Sequence, residues 1–274
     1  GRPNVGKSHL FNTLAKKQQA VVADVAGTTR DVNRIAIKYQ VKDIEILDTA
    51  GIRRSGKIER GIEKFSVLRT LQAIEQADVC LLLMDINEHS TALDQKIAGL
   101  IKEAGKGLII VMSKWDSVED KDAYTRDAVA PRVIHNFQFV PWAPLIFTSS
   151  VTGQNVTKLF DLSLGIYEKR KQKIKTTVLN RILADSLSAH PPAGLKGRHP
   201  KPRYFVQDDI SPPTFRLYGA HLEFLHWGWK RYLEKNIRKE LDFAGTPIKF
   251  YMMNNARISG KTKKFLPKVV DPNE

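Results

Sequence analysis

Gly1-Arg2-Pro3-Asn4-Val5-Gly6-Lys7-Ser8 fits the pattern G-x-x-x-x-G-K-[ST] and runs directly into a helical periodicity over Lys7 to Lys17. With glycine at about 7% of residues, a chance match somewhere in the chain has odds of roughly one in a hundred, so the stretch is read as a phosphate cradle. The glycines let backbone amides approach an anion, Lys7 reaches the β and γ phosphates of a nucleotide, and the Ser8 hydroxyl is placed to hold Mg²⁺. Gly1 to Ser8 are therefore all assigned to nucleotide binding.

Outward from this loop, short apolar runs alternate with helical patterns as far as Lys173, the signature of a mostly parallel sheet covered by helices. The strands are read at Val32 to Tyr39, Ile44 to Leu47, Val79 to Asp85, Leu108 to Ser113 and Leu145 to Ser149. The helices are read at Lys7 to Lys17, Gly61 to Gln76, Leu93 to Ala104, Tyr124 to Asn136 and Val156 to Lys173. A phosphate loop normally follows a central strand, and this sequence begins at the loop's own first glycine, so the expectation is an N-terminally truncated domain lacking its first strand.

Two further loops follow strands at the spacing a nucleotide site needs. Asp48-Thr49-Ala50-Gly51 ends an apolar run, where Asp48 can sit beside Mg²⁺ and the Gly51 amide can sense a γ-phosphate. Before it, Ala26-Gly27-Thr28-Thr29-Arg30-Asp31 offers hydroxyls to the same ion, with Thr29 preferred over Thr28. Ser113-Lys114-Trp115-Asp116, after the strand Leu108 to Met112, is close to N-K-x-D. In that motif the carboxylate accepts from N1 and the exocyclic amine of guanine, a pair of donors that adenine lacks. Asp116 takes that role, Lys114 lies along base and ribose, and Thr148-Ser149-Ser150 closes over the base; Ser113 stands where Asn is usual and Ser150 where Ala is usual.

The second part of the chain reads as a smaller α/β unit. A helix is expected over Thr177 to Ala189, a turn-rich stretch over His190 to Lys201, strands at Tyr204 to Gln207 and Thr214 to Tyr218, a helix over Trp229 to Leu241 and a last strand at Ile248 to Met252. The domain boundaries drawn from this are 1–173, 174–253 and a basic, disordered tail at 254–274. Residues 165–274 hold 22 Lys plus Arg against 10 Asp plus Glu, a net +12 of the chain's +15. Such clustering suits a polyanion, because each neutralised phosphate releases condensed counterions. Arg198, Lys201 and Arg203 are the candidate RNA phosphate contacts. The aromatics Phe224, Trp227, Trp229, Tyr232 and Phe243 are expected in the core. Gly194-Leu195-Lys196-Gly197 matches a G-x-x-G clamp in letters only, since it falls between a helix and a strand. The one cysteine, Cys80, leaves no internal disulfide, and no apolar run spans a bilayer, so the expected setting is cytoplasmic, without membrane or DNA partners.

In order and spacing the motifs resemble the Era-like branch of the translation-factor-like GTPases, within it the bacterial group carrying tandem G domains and a KH-like domain. The resemblance rests on G-R-P-N-V-G-K-S, A-G-T-T-R-D and D-T-A-G-I-R-R, then on N-R-I-L, H-P-P, P-P-T-F, R-Y-L-E and G-T-P-I downstream. It implies a Ras-like G domain followed by a KH-like domain, GTP as substrate, and a role in assembly of the large ribosomal subunit through rRNA. Ile52 stands where many small GTPases place the glutamine that orients water. Relatives with an Asn at the position of Asn4 use K⁺ beside the phosphates, which implies Asn4 as a K⁺ ligand. Lys7, Thr29, Gly51 and Asn4 form the catalytic set on this reading. The alternative is a degenerate GTP-binding, RNA-docking module without turnover, suggested by Ser113 and the absent first strand.

Overall fold

The computed structural model describes residues 1–17, 33–48, 70–88, 90–119, 121–122, 124–194 and 197–254. These belong to two compact units, Gly1–Tyr167 and Glu168–Glu274. Thr28, Thr29, Gly51, Ile52, most of the helix read at Gly61 to Gln76, and the tail beyond Asn254 lie outside the described residues; residues 70–76 are helical.

In the first unit, α1 (Lys7–Lys17) follows the phosphate loop, then β1 (Asn33–Tyr39), β2 (Lys42–Asp48), β3 (Val79–Asp85), α2 (Ala92–Glu103), β4 (Gly107–Ser113), α3 (Thr125–Asn136), β5 (Leu145–Phe147) and α4 (Lys158–Arg170), whose last turn, from Glu168, belongs to the second unit. Strands β3, β4 and β5 form a parallel sheet in that order. Their near-continuous apolar letters have a direct cause, since both faces are covered. Leu83, Ile109, Val111 and Ile146 face Leu10, Leu14, Leu159 and Phe160, whereas Leu82, Met84, Leu108, Ile110 and Met112 face Ala98, Ile101, Val133 and Phe137. The period-two alternation of a strand sends neighbours to opposite layers. Strands β1 and β2 form a separate antiparallel hairpin, with Ile35, Ile37 and Tyr39 turned into the first layer. Its turn, Gln40 and Val41, takes positive φ at both residues, as a two-residue hairpin requires. The main-chain ladder carries β2 beyond the apolar run Ile44 to Leu47 at both ends. The strand read at Leu145 to Ser149 is shorter, because Thr148 and Ser149 leave it to build the site, and α4 stops at Arg170, before Lys173.

The second unit contains α5 (Thr176–Ala189), β6 (Lys201–Ile210), β7 (Pro213–Ala220), α6 (Trp227–Glu240) and β8 (Lys249–Asn254). Strand β7 is central, antiparallel to β6 and parallel to β8. Leu179, Ile182 and Leu183 of α5 and Trp229, Leu233 and Ile237 of α6 share one core with Phe205, Phe215 and Leu217. The Asn180 amide stitches α5 to β6, donating to the Phe205 carbonyl at 2.8 Å and accepting its N–H at 3.0 Å. Trp229 and Phe243 are buried as expected, but Trp227 is 60% exposed. Two residues before Trp229 it sits about 200° around the helix, on the side away from the core.

Candidate nucleotide site

The phosphate loop is fixed from beneath. A Cβ on Gly1 would lie 2.2 Å from the Leu83 carbonyl oxygen, so only glycine allows the loop to lie against β3. Val5 is buried in the first layer, while Asn4 and Gly6 have φ of 64° and 94°. Left-handed residues interspersed with right-handed ones turn successive N–H groups to one side, and the α1 N-terminus adds its dipole, so the loop favours an anion. Lys7 Nζ donates to the carbonyls of Gly1 at 2.9 Å and Arg2 at 2.6 Å, bending back across the loop. Ser8 and Asn4 are exposed at the mouth. Arg2 turns away from the loop, pairing with Glu88 Oε2 at 2.9 Å and Asp94 Oδ2 at 3.0 Å. Asp94 is fully buried and caps α2, accepting from the Thr91 N–H and hydroxyl. Sequence reasoning missed this brace, although Thr91-Ala92-Leu93-Asp94 carries the spacing of a capping box.

At the base end, Lys114 follows β4 with φ 58° and leads into a single turn, Trp115–Ser117. Buried Trp115 stands edge-on to Phe147, centroids 4.9 Å apart, and its main-chain N–H donates to the Thr148 carbonyl at 3.0 Å. That anchor fixes Asp116, whose Oδ1 accepts from the Ser149 hydroxyl at 2.5 Å. Ser149 Oγ in turn accepts the N–H groups of Val151 and Thr152 at 3.2 and 3.0 Å, which leaves its own hydrogen for the carboxylate. Lys114 Nζ pairs with Asp85 Oδ2 at 2.5 Å. Burial alone would raise the Asp85 carboxyl, but hydrogen bonds from Lys114 and Asn87 outweigh it and hold the group below the ordinary carboxylate value.

The two ends are joined directly. Ser113 Oγ lies 2.6 Å from the Val5 carbonyl and 2.9 Å from that of Met84, and the Ser150 carbonyl accepts from Thr13 of α1 at 3.1 Å. A serine hydroxyl has one hydrogen for these two acceptors, whereas an Asn amide has two. Ser113→Asn is therefore expected to tighten fluorescent GDP binding by roughly three- to tenfold, the worth of one net hydrogen bond of about 1 kcal/mol. Equal or weaker binding in a titration would refute it.

The structure thus brings Gly1 to Ser8 together with Ser113, Lys114, Asp116, Ser149 and Ser150. Asp48 ends β2 and is described by its backbone alone, paired with Asn33. Arg198, Lys201 and Arg203 are exposed in the second unit. Arg198 stacks on Phe224 at 5.3 Å, and Lys201 and Arg203 stand on edge strand β6. No described helix is long and apolar enough to cross a membrane.

Comparison with known proteins places both units. A sequence family described as 50S ribosome-binding GTPase matches residues 1–114, and one described as the C-terminal KH-domain-like region of EngA bacterial GTPase enzymes matches residues 173–252. GTPase Der of Chloroflexus aggregans is 48% identical over 249 residues, covering 90% of this chain and 55% of that protein. GTPase Der of a Synechococcus strain is 41% identical over 264 residues, covering 95% of this chain and 57% of its own length. Among solved structures, an Era variant of Aquifex aeolicus bound to GDP and AlF4⁻ is 22% identical with a TM-score of 0.47, over 93% of this chain and 90% of that one. The chain spans about half the length of the curated relatives it matches.

Proposed function

Since the chain belongs to the Der (EngA) family of GTPases, as a second G domain followed by the C-terminal KH-like domain, we propose that it binds GTP, hydrolyses it to GDP and phosphate, and uses the nucleotide state as a switch. The KH-like domain, over 174–253, docks on the large ribosomal subunit or its precursor through rRNA. One observation carries the nucleotide reading: the anion-shaped loop Gly1–Gly6 and the base-reading turn Lys114–Asp116 are clasped together through Ser113. The docking reading is supported by the net +12 of residues 165–274.

In this site Lys7 exchanges its two loop carbonyls for the β and γ phosphates of GTP. The donors offered to Mg²⁺ are hard oxygens, the Ser8 and Thr29 hydroxyls and the Asp48 carboxylate, which suits an ion that keeps most of its shell for water and phosphate. When bound, Mg²⁺ neutralises charge on the β and γ phosphates. Asn4 is the residue proposed for K⁺. It is exposed and its amide has no hydrogen-bond partner among the described residues, so it is available as an oxygen donor. Its positive φ gives it a plainer role too, since Asn tolerates the left-handed region better than most residues.

Steady-state GTP hydrolysis in K⁺ against Na⁺ tests the reading, with Lys7→Ala as control and Asn4→Gly to keep the backbone while deleting the amide. Turnover is expected to be faster in K⁺, to fall about a hundredfold or more in Lys7→Ala, and to lose its K⁺ preference in Asn4→Gly. A second reading, nucleotide binding without turnover, draws on the single hydrogen that Ser113 brings to two carbonyls. It gains if folded protein hydrolyses nothing in either salt. A K⁺ response unchanged in Asn4→Gly removes Asn4 from the ion site.

A further inference from the structure

Trp227 opens α6 with 60% of its surface exposed, whereas Trp229, two residues on, is 8% exposed and gives its indole N–H to the His190 carbonyl at 2.8 Å. Burial rewards a large ring more than almost any other side chain, so an indole left in water invites a partner that can cover it. The Arg231 guanidinium lies over the Trp227 ring, 5.1 Å from its centroid, and the His226 ring is 5.2 Å away. In the turn just before α6, Phe224 carries the Arg198 guanidinium at 5.3 Å. Lys201 joins the same neighbourhood, because β6 pairs it with Ala220, two residues before that turn begins at Leu222. Among the described residues neither Arg198 nor Arg231 forms an ion pair. The one carboxylate in the turn, Glu223, is engaged by the Asn254 amide.

An exposed indole with one guanidinium stacked on it, and a second stacked on Phe224 three residues earlier in the chain, combines a π face with N–H donors that stacking leaves free. Single-stranded nucleic acid asks for both at once, since an unpaired base has a face to stack and a phosphate beside it. A duplex would hide its base faces, and a protein partner for so cationic a patch would have to bring a cluster of carboxylates. We propose that Trp227 is a stacking platform for an unpaired RNA nucleotide, with Arg198, Lys201 and Arg231 taking the flanking phosphates. This rests on the reading of the basic domain as an RNA-docking unit and adds the strandedness of the target and the residue that senses it.

Fluorescence anisotropy with a labelled 12-nucleotide single-stranded RNA of random sequence tests the platform across a series of KCl concentrations. Trp227→Ala is expected to weaken binding about tenfold, the worth of one stacked base, while leaving the slope of log K against log salt unchanged. Trp227→Phe keeps a ring and binds nearly as the parent. Lys201→Ala weakens binding and makes the slope shallower by about 0.7, the loss of one phosphate contact to a single strand. A thermal melt of Trp227→Ala matching the parent separates lost contact from lost fold. If the parent binds and Trp227→Ala binds equally well, the platform is overturned while RNA docking stands. If the parent does not bind RNA, the docking reading itself fails. Retained RNA binding by Trp227→Ala, with loss of co-sedimentation with ribosomal subunits, would identify the patch as a protein contact and overturn the proposal.

Discussion

Replacing Asp116 with Asn is expected to lower GTP affinity by roughly two to four orders of magnitude and to raise affinity for xanthosine triphosphate. The carboxylate offers acceptors to both N1–H and the exocyclic amine of guanine. An amide keeps one acceptor and turns a donor toward a donor. The geometry fixes which way the amide points. Ser149 donates to Oδ1 of Asp116, with its hydroxyl hydrogen committed there by the two N–H groups it accepts. The Asn oxygen keeps that position, so its NH₂ faces the base. The loss comprises a hydrogen bond to a charged group, about 1.5–3 kcal/mol, and an unsatisfied donor, about 1–3 kcal/mol. Xanthine carries an oxygen where guanine has its amine, so the same NH₂ finds an acceptor there. Competition titrations with GTP, XTP and ATP decide the matter; a variant that weakens all three equally would show that Asp116 supports the loop and does not read the base.

The second large effect falls on the KH-like domain. Phe215 is fully buried on the central strand β7, with ring centroids of Phe205, Phe250 and Phe243 at 5.4, 6.0 and 6.1 Å. Strand β7 is hydrogen-bonded on both sides, so the backbone cannot move inward to fill a hole. Phe215→Ala is expected to destabilise this unit by about 3–5 kcal/mol, the range for truncating a buried ring whose site cannot collapse. A domain of this size has only about 5–15 kcal/mol to lose. Denaturant unfolding followed by circular dichroism reads the change directly, and a loss under about 1 kcal/mol would show that neighbouring rings close the gap.

Residue by residue, legibility followed the range of the interaction. Helix α1 was readable to both ends because the Gly6-Lys7-Ser8 pattern starts it and the apolar spacing of Leu10, Phe11 and Leu14 sustains it. Strands β3 and β4 were readable because sandwiching makes nearly every position apolar up to the Asp85 and Ser113 at their ends. Trp227 was misread as core, since an aromatic in an apolar-looking stretch carries no mark of its side until the Trp229, Leu233, Ile237 series sets the helix phase. Arg2 belonged to the loop motif by its letters, but its partners Glu88 and Asp94 come from 86 and 92 residues away. No local pattern could supply them.

By itself the sequence determined the element order, the two-part organisation, the glycine-containing loop before α1, the turn after β4 and the placement of excess positive charge, because each is written in contiguous letters whose chemistry is local. Only the tertiary structure decided that Ser113 clasps Val5, that Ser149 commits its hydrogen to Asp116, that Arg198 stacks on Phe224, and that the Trp227 indole stays exposed beneath Arg231. All but the last join residues far apart in the chain, which packing brings within hydrogen-bonding or stacking reach; the last joins residues four apart, and the phase of one helix decides it.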